Sequence, residues 1–204
     1  MPSLDLARAA AHLRRCDSML ADIVREVGPC RFAPDRRSSA FHLLAQAIIS
    51  QQITSKAAAS IERKLLRSLG TRRLSPAHLV KASHQVLRGA GLSRQKIAYL
   101  RDLTEHTRNG LPLQRLGRLT DEAVIEALTE VKGIGRWTAE MFLIFRLGRP
   151  DVLPVHDYGI RKALRIAYRL RKLPDPAWMR RKAEAWRPYR SIACWYLWRS
   201  LEDR

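Results

Sequence analysis

The residue types best suited to chemistry lie in one stretch from Val131 to Gly159, VKGIGRWTAEMFLIFRLGRPDVLPVHDYG. It joins a glycine turn, Gly133-Ile134-Gly135, to Asp157 through one predicted helix. Backbone N–H groups at a turn that opens a helix, together with the helix dipole, can hold a phosphate without a lysine. A carboxylate at the start of a helix stays ionised, which suits the stabilisation of a cation. The stretch therefore predicts a phosphate site and a carboxylate that acts beside it.

The glycine turn is predicted to bring the backbone close to a partner. Gly133 and Gly135 both permit positive φ and close backbone approach, and Ile134 between them can fill the angle between two helices. Lys132 and Arg136 add positive charge on either side of the turn. The alternative interpretation is an ordinary corner between two helices, because a GxG pattern alone is weak.

Asp157 lies in the segment LPVHDYG, residues 153–159, directly before a predicted helix that carries Ile160, Leu164 and Tyr168. Aspartate is a good helix N-cap, so a purely structural role is the alternative interpretation. A capping role does not exclude a chemical one. Whether the chain only binds its partner or also acts on it depends largely on Asp157.

The charge of the chain favours a polyanionic partner. Thirty-eight Lys and Arg residues against 19 Asp and Glu give a formal net charge of +19. Residues 51–100 carry ten basic residues and one acid, and residues 151–204 carry thirteen and six. Such a field attracts nucleic acid, and two basic regions separated in sequence predict two walls of one groove.

The remaining composition argues against several kinds of site. Cys16, Cys30 and Cys194 form neither a zinc pattern nor a disulfide framework, so we expect reduced thiols. No apolar run approaches the length of a membrane span, and no signal peptide opens the chain. We expect a cytoplasmic, nucleoid-associated protein, or a nuclear one in a eukaryote.

Hydrophobic periodicity predicts an all-α fold of about ten short helices. The glycine turn over 131–135 is expected between a helix over 120–130 and a helix over 136–147. A long connection then runs from Leu147 to Asp157. The predicted helix starts are capping residues or cap-and-proline pairs, namely Ser39, Thr54, Ser75-Pro76, Ser93, Thr120 and Asp175-Pro176.

This order of elements predicts two helical lobes. The central lobe is expected over residues 36–147, with the helix-hairpin-helix at 120–147. The second lobe is expected to form from residues 1–35 together with 148–204.

Three blocks of the sequence together resemble one family. VKGIGRWTAEMFL with the later VLPVHDYGIRKAL is similar to the Gly/Pro-rich hairpin and following Asp of the helix-hairpin-helix DNA glycosylase superfamily. FHLLAQAIISQQITSKAA, residues 41–58, resembles the early helix-turn-helix region of that family. RPYRSIACWYLWR resembles the C-terminal helix of its alkylation-repair branch. The resemblance is greatest to the DNA-3-methyladenine glycosylase II type.

The resemblance implies two helical lobes flanking a base-binding cleft. It also implies an enzyme that flips and excises alkylated purines, such as 3-methyladenine and 7-methylguanine, from duplex DNA in base excision repair. Asp157 falls on the family's catalytic aspartate, and Gln52 on the wedge residue that fills the gap left by the flipped base. Trp137 falls where lyase-competent members carry a lysine, which implies an N-glycosidic bond hydrolase without strand-cleaving activity.

The resemblance further implies a set of binding residues. Independently of the resemblance, Trp186 and Trp195 are expected in the core, because large aromatic residues at helical spacing usually pack there. An electron-rich pocket for a cationic base would be lined by Trp137, Met141, Tyr158 and Trp198. The residues expected at DNA are Gln52, Lys132, Gly133, Ile134, Gly135, Arg136 and Thr138.

The cofactor expected from the resemblance is a single ion. Family members hold a monovalent cation at hairpin carbonyls that match Thr129, Val131 and Gly133, so sodium or potassium is expected there. The four-cysteine loop of other branches is missing from the sequence, so no iron–sulfur cluster is expected. The partner is expected to be duplex DNA containing alkylated bases, bound by a monomer away from membranes.

Two other functions stay open at this point. A non-catalytic helix-hairpin-helix DNA-binding module would share the glycine turn and the charge, but it would have no use for Asp157 or the aromatic pocket. A superfamily member acting on oxidised or mismatched bases is the second alternative, although the missing lysine and cysteines argue against its commonest forms. The ranking among 3-methyladenine, 7-methylguanine, 1-methyladenine and hypoxanthine depends on pocket contacts worth only about 1–3 kcal/mol.

Overall fold

The computed structural model describes residues 4–202 and has an all-α fold, as predicted, with no β-strand in that range. Short 3₁₀ turns occur at Leu116–Arg118 and Glu184–Trp186. Within that range the α-helices are α1 Leu6–Cys16, α2 Ser18–Val27, α3 Ala40–Ser50, α4 Ser55–Ser68, α5 Pro76–Lys81, α6 His84–Gly89, α7 Arg94–Arg108, α8 Asp121–Thr129, α9 Arg136–Phe142, α10 Tyr158–Ala167, α11 Pro176–Ala183 and α12 Arg190–Arg199.

The predicted helix starts are confirmed by side-chain caps. In each case an oxygen of the capping residue accepts a hydrogen bond from a backbone N–H in the first helical turn. Such caps stabilise a helix by about 1 kcal/mol each, which is why these residues set the boundaries. The caps are Ser39 for α3, Thr54 for α4, Ser75 for α5, Ser93 for α7, Thr120 for α8 and Asp175 for α11.

The chain clusters into two compact units. One comprises Asp35–Phe142, and the other comprises the residues up to Pro34 together with those from Leu143 onward. The predicted division into domains stays a prediction, with one lobe at 36–147 and the other formed by 1–35 with 148–204.

Each unit has its own apolar core. In the unit over 35–142, α3, α4 and α7 pack around side chains with no more than 1% exposure, namely Leu44, Ile48, Leu65, Leu100 and Leu103. In the other unit, α2, α10 and α12 pack around a set of fully buried side chains, namely Leu20, Ile160, Leu164, Tyr196 and Leu197. No helix in the described part of the chain is both long and apolar enough to span a membrane.

The two tryptophans expected in the core differ. Trp186 is fully buried, as expected. Trp195 is only half-buried: its ring and that of Tyr196 form a T-shaped pair, and the guanidinium of Arg199 lies 5.5 Å from its ring centroid. The expectation of a core position for Trp195 therefore holds only in part.

The helix after the glycine turn is not α-helical throughout. It was predicted over 136–147, but α9 ends at Phe142 and Leu143–Leu147 form a π-helical turn. Leu143 and Ile144 are buried, whereas Phe145 is 40% exposed. Because a π turn shifts the side-chain register, apolar periodicity alone does not reveal it.

Candidate active site and DNA-binding hairpin

Asp157 begins α10 as its N-cap. Its Oδ1 accepts a hydrogen bond from the backbone N–H of Ile160 at 2.8 Å, and the residue is only 7% exposed. The same oxygen accepts a second hydrogen bond, at 2.9 Å, from the indole Nε1–H of Trp198 in α12. The capping interpretation is thus correct in geometry. The second bond goes beyond a cap, because it fixes the carboxylate against an aromatic side chain of another helix.

Gly159 makes room for this contact. A Cβ built on Gly159 would lie 3.1 Å from Asp157 Oδ1 and 3.1 Å from Cδ1 of Trp198. Both distances are shorter than ordinary van der Waals contact, so a larger residue would push the carboxylate or the indole out of place. The DYG sequence, residues 157–159, therefore positions the carboxylate in addition to starting the helix.

A row of aromatic rings extends away from Asp157 within the same unit. The ring centroids of Trp198 and Phe145 are 5.5 Å apart, and those of Phe145 and Phe32 are 6.1 Å apart. Tyr158, next to Asp157 in sequence, is 67% exposed. Phe145 was missed in the sequence analysis because it follows buried Leu143 and Ile144, and only the π turn brings it to the surface beside Trp198.

The glycine turn has different requirements at its two glycines. Gly133 has φ +85°, and a Cβ there would lie 2.2 Å from Cδ2 of Tyr99, so it needs glycine for both reasons. Gly135 does not have positive φ, and a Cβ there would meet nothing within 4 Å. Of the positive φ and the close approach that glycine permits, Gly133 uses the first, and Gly135 leaves open space for the second. Ile134 is 3% exposed and fills the corner as expected.

Two polar side chains hold the turn in place. The Nε2 of Gln51 donates to the carbonyl of Gly133 at 2.6 Å. Asp102 on α7 accepts the backbone N–H of Lys132 at 2.8 Å, and its Oδ1 lies 3.4 Å from Lys132 Nζ. Sequence reasoning missed Gln51, Asp102 and Tyr99, because a one-dimensional pattern contains no signal that α7 underlies the hairpin.

Arg136 has strong partners inside the protein. Its guanidinium forms two hydrogen bonds with Glu122 of α8, at 2.6 and 2.9 Å, and its Nε lies 3.2 Å from Glu140. The hydrogen bonds from Arg136 lower the pKa of Glu122, and Glu122 in turn raises the pKa of Arg136. Arg136 was predicted to bring positive charge to a phosphate, but these two carboxylates largely offset that charge. The side chain links α8 to α9. Thr138 is also buried, and its contact with DNA stays a prediction.

Gln52 follows Gln51 in the turn between α3 and α4. It is exposed and has φ +57°, a left-handed conformation that costs a non-glycine residue about 1–2 kcal/mol. Residues held in such conformations concentrate at functional sites. Ile53 beside it is 38% exposed. The geometry thus presents the predicted wedge residue outward on a turn.

The four predicted pocket residues come from both units. Trp137, 49% exposed, and Met141, half-buried one turn later, belong to α9 in the unit over 35–142. Tyr158 and Trp198 belong to the other unit, with Asp157. A pocket that contains all four therefore stays a prediction, whereas the contact between Asp157 and Trp198 is direct.

The carbonyls predicted to hold a monovalent cation belong to the glycine turn and the residue that ends α8. The Val131 carbonyl accepts from the Ile134 N–H at 3.0 Å, and the Gly133 carbonyl accepts from Gln51. A carbonyl oxygen has two lone pairs, so each of these carbonyls could still accept a cation, and the ion at this site stays a prediction. Between residues 4 and 202, the structure has no cluster of three or more His, Cys, Asp or Glu side chains suited to a metal.

Comparison with known proteins assigns the chain to a family. Residues 45–188 match the model of the HhH-GPD superfamily base excision DNA repair proteins. The DNA-3-methyladenine glycosylase 1 of Schizosaccharomyces pombe is 35% identical over 201 residues, which cover 96% of this chain and 87% of that protein.

Solved structures agree with this assignment. The 3-methyladenine DNA glycosylase of S. pombe, in complex with abasic DNA, has a TM-score of 0.82 at 35% identity, and the match covers 97% of this chain and 98% of that one. A DNA-3-methyladenine glycosidase of Bacillus halodurans has a TM-score of 0.84 at 34% identity, with coverage of 94% and 88%. The three blocks, the all-α architecture and these matches agree, and the chain belongs to the HhH-GPD superfamily of base excision DNA repair proteins.

Proposed function

We propose that this protein is a monofunctional DNA glycosylase that excises alkylated purines, including 3-methyladenine and 7-methylguanine, from duplex DNA. The observation that carries this proposal is the position of the Asp157 carboxylate. The indole of Trp198 holds it at the start of α10, and the exposed ring of Phe145 lies beside that indole. The names of its relatives, which are DNA-3-methyladenine glycosylases, support the same substrate class.

The chemistry requires that the damaged base first leave the stack, because the sugar is otherwise inaccessible. A purine methylated at N3 or N7 is positively charged and is already a good leaving group. The protein then needs an electron-rich surface for the base and an anion for the sugar. Aromatic faces such as those of Trp198 and Phe145 attract a cationic base by about 0.5–2 kcal/mol.

Asp157 supplies the anion in this proposal. As the glycosidic bond breaks, positive charge develops on the sugar. A preorganised carboxylate stabilises this charged transition state more than it stabilises the ground state. The same carboxylate orients the attacking water or accepts its proton. Two hydrogen bonds to Oδ1 limit reorientation of the carboxylate during this step.

The hairpin and the turn over 51–54 carry the DNA contacts in this proposal. Backbone N–H groups around Gly135 would bind a phosphate, and the open space at Gly135 permits close approach. Gln52, presented outward in its left-handed conformation, would fill the gap left by the flipped base. A monovalent cation on the hairpin carbonyls would add positive charge beside that phosphate, so replacing sodium and potassium with a large organic cation should weaken DNA binding.

The proposal assigns hydrolysis without strand cleavage. Trp137 stands where a lyase of this family needs a lysine, and the nearest amine in sequence, Lys132, is paired with Asp102. Borohydride should therefore trap no covalent protein–DNA adduct, and strand breaks should appear only after alkali or an abasic-site nuclease. Efficient trapping would show that an amine reaches the sugar and would end the monofunctional assignment.

The direct test is base release from methylated duplex DNA, followed by chromatography and mass spectrometry. We expect free 3-methyladenine and 7-methylguanine from DNA treated with a methylating agent, and no release from unmethylated DNA. DNA binding without base release would instead favour a non-catalytic module. Release of oxidised or mismatched bases in preference to methylated ones would favour another branch of the superfamily.

A further inference from the structure

Gln52 occupies a backbone conformation that neighbouring contacts must hold. Its φ of +57° lies in the left-handed region, which residues other than glycine adopt only at a cost in free energy. Such a conformation persists only where the surrounding structure fixes the chain on both sides of it. The contacts at the two ends of the turn over 51–54 therefore decide whether Gln52 stays presented outward.

Two of these contacts come from the turn itself. On one side, Thr54 caps α4, because its Oγ1 accepts a 3.2 Å hydrogen bond from the Ala57 N–H. On the other side, the side-chain amide of Gln51 donates to the Gly133 carbonyl. These bonds fix the helix that follows and attach the turn to the hairpin. Neither of them reaches the end of α3, where the turn begins.

Lys96 supplies the contact at the end of α3. The last carbonyls of a helix have no partner within the helix, and they carry partial negative charge, so a lysine ammonium is a favourable donor to them. The Nζ of Lys96 donates to the Ile49 carbonyl at 2.7 Å, one residue before α3 ends at Ser50. Ile49 lies three residues before Gln52, so this bond holds the backbone from which the turn departs.

The position of Lys96 is itself fixed. Ser93 caps α7 by accepting the Lys96 backbone N–H at 3.1 Å, and α7 packs against α3. The Lys96 side chain is half-buried, and the partial removal of its ammonium from water lowers its pKa. Among residues 4–202 no carboxylate forms an ion pair with Lys96, and its ammonium is bonded to the Ile49 carbonyl. The side chain therefore serves the end of α3 and not a network of ion pairs.

We propose that Lys96 is a positioning residue for base flipping, which holds the end of α3 so that Gln52 can enter the gap left by the extruded base. This inference rests on the proposed function, because Gln52 has such a role only in a protein that flips bases. Lys96 acts through Gln52 and not on the reacting atoms. Its loss should therefore impair extrusion of the base and leave cleavage of the glycosidic bond unchanged.

The test compares single-turnover excision of 7-methylguanine from two duplexes by the full-length protein. In one duplex the lesion is paired with cytosine, and in the other it faces an abasic-site analogue that offers no pairing partner. A base without a partner costs less free energy to extrude, so the second duplex depends less on Gln52. Lys96→Met keeps the apolar stem and removes the ammonium. Its rate should fall at least about tenfold on the paired duplex and stay within about threefold of the wild type on the unpaired one.

Two further variants separate the hydrogen bond from the charge. Lys96→Arg keeps a donor on a long side chain, so its rate on the paired duplex should lie within about threefold of the wild type. Lys64→Met is the matched control: Lys64 is exposed on α4 and makes no hydrogen bond or ion pair with any residue in the described range. It should excise from both duplexes at the wild-type rate. A selective fall on the paired duplex in Lys64→Met would assign the effect to charge and overturn the role of the Lys96 bond.

The ratio of the two rates decides the outcome. A partly unfolded preparation lowers the reaction amplitude for both duplexes and leaves that ratio unchanged. A Lys96→Met rate that stays at the wild-type value on the paired duplex, or falls equally on both duplexes, would overturn the positioning role. A loss of about 0.9 from the slope of log K against log salt concentration would also overturn it, because Lys96 would then contact a phosphate. Wild-type protein that releases no base from either duplex would mean instead that the proposed function fails.

Discussion

At the scale of single residues, the site depends on how one carboxylate is held. Asp157 Oδ1 accepts two hydrogen bonds, one from the helix backbone and one from Trp198. The first is available to any N-cap aspartate, whereas the second requires an indole on α12. Trp198 was expected only as a wall of the base pocket. Its contact with Asp157 adds a role as a positioning residue for the carboxylate.

Replacing Trp198 with Phe should separate the two roles. The ring remains, but the N–H donor is lost, and a hydrogen bond to a charged group contributes about 1.5–3 kcal/mol. The single-turnover excision rate should fall about tenfold to a hundredfold while DNA affinity changes little. Single-turnover excision assays measure the rate, and a fluorescence binding assay measures the DNA affinity.

Trp195→Phe is the matched control, because Trp195 lies on the same helix and packs against Tyr196 and Arg199. That variant should keep its excision rate within about twofold. An unchanged rate in Trp198→Phe would show that the indole N–H does not position the carboxylate.

At the scale of elements, α7 and the α3–α4 turn determine the shape of the hairpin. Tyr99 and Asp102 of α7 contact Gly133 and Lys132, and Gln51 binds the Gly133 carbonyl. The hairpin conformation therefore does not depend on its own sequence alone. Within the hairpin turn, positive φ is confined to Gly133, where the backbone lies against the Tyr99 ring.

The two glycines should respond differently to alanine. Gly133→Ala places a methyl group against Tyr99 at a positive φ, so unfolding free energy should fall by about 2–4 kcal/mol. Gly135→Ala meets open space, so stability should stay within about 0.5 kcal/mol of the wild type. Urea denaturation measures both values.

DNA affinity adds a second readout at Gly135. If the turn backbone lies against a phosphate, the alanine methyl group should weaken DNA binding at least severalfold although the fold is intact. Undiminished affinity in Gly135→Ala would remove the phosphate contact from this part of the turn.

The buried carboxylate of Asp17 connects α2 to three partners in the unit that contains α10, α11 and α12. Asp17 caps α2, accepts from Trp186 Nε1 at 2.9 Å and from the hydroxyl of Tyr168, and lies 3.2 Å from Lys182 Nζ. Burial opposes ionisation of Asp17, but the hydrogen bonds from Tyr168, Trp186 and Leu20 outweigh it and lower its pKa. Burial and the adjacent Asp17 raise the pKa of Tyr168, which stays protonated as a donor.

Asp17→Asn should destabilise the protein by about 3 kcal/mol at neutral pH, because charge-assisted bonds to buried partners are weakened. The pKa of Asp17 is lower in the folded protein than its ordinary value of 3.8. The stability that its carboxylate contributes is therefore fully present above about pH 3.8. It is lost as pH falls through the still lower folded pKa. The stability difference between wild type and variant should therefore close only below about pH 4, and a constant difference down to pH 2 would contradict this account.

The elements were more predictable than the contacts between them. Thr120 and Asp157 begin helices by local rules that a sequence reveals, and the resemblance placed Asp157 at the chemical step. The π turn that exposes Phe145 and the Tyr99 ring beneath Gly133 arise from packing, which no local pattern contains. Arg136 was assigned to phosphate because of its charge, whereas the structure pairs it with Glu122 and Glu140.

At the scale of the whole molecule, the net charge of +19 should govern DNA affinity. Each phosphate neutralised by Lys or Arg releases counterions and contributes about −0.9 to the slope of log K against log salt concentration. If about six phosphates are contacted, affinity should fall about 10³-fold between 50 and 200 mM salt. Undamaged duplexes of unrelated sequence should give the same slope, and a flat response would contradict binding through phosphates.

The central claim is that Asp157 acts in the chemical step and does not merely cap α10. The most direct measurement is single-turnover release of 7-methylguanine by Asp157→Asn, compared with Asp175→Asn, which changes the N-cap aspartate of α11 in the same way. Because asparagine also caps helices well, both variants should fold. Asp157→Asn should lose at least about 10³-fold in rate with equal or higher DNA affinity, whereas Asp175→Asn should stay within about twofold. A near-normal rate in Asp157→Asn would show that Asp157 is only a cap.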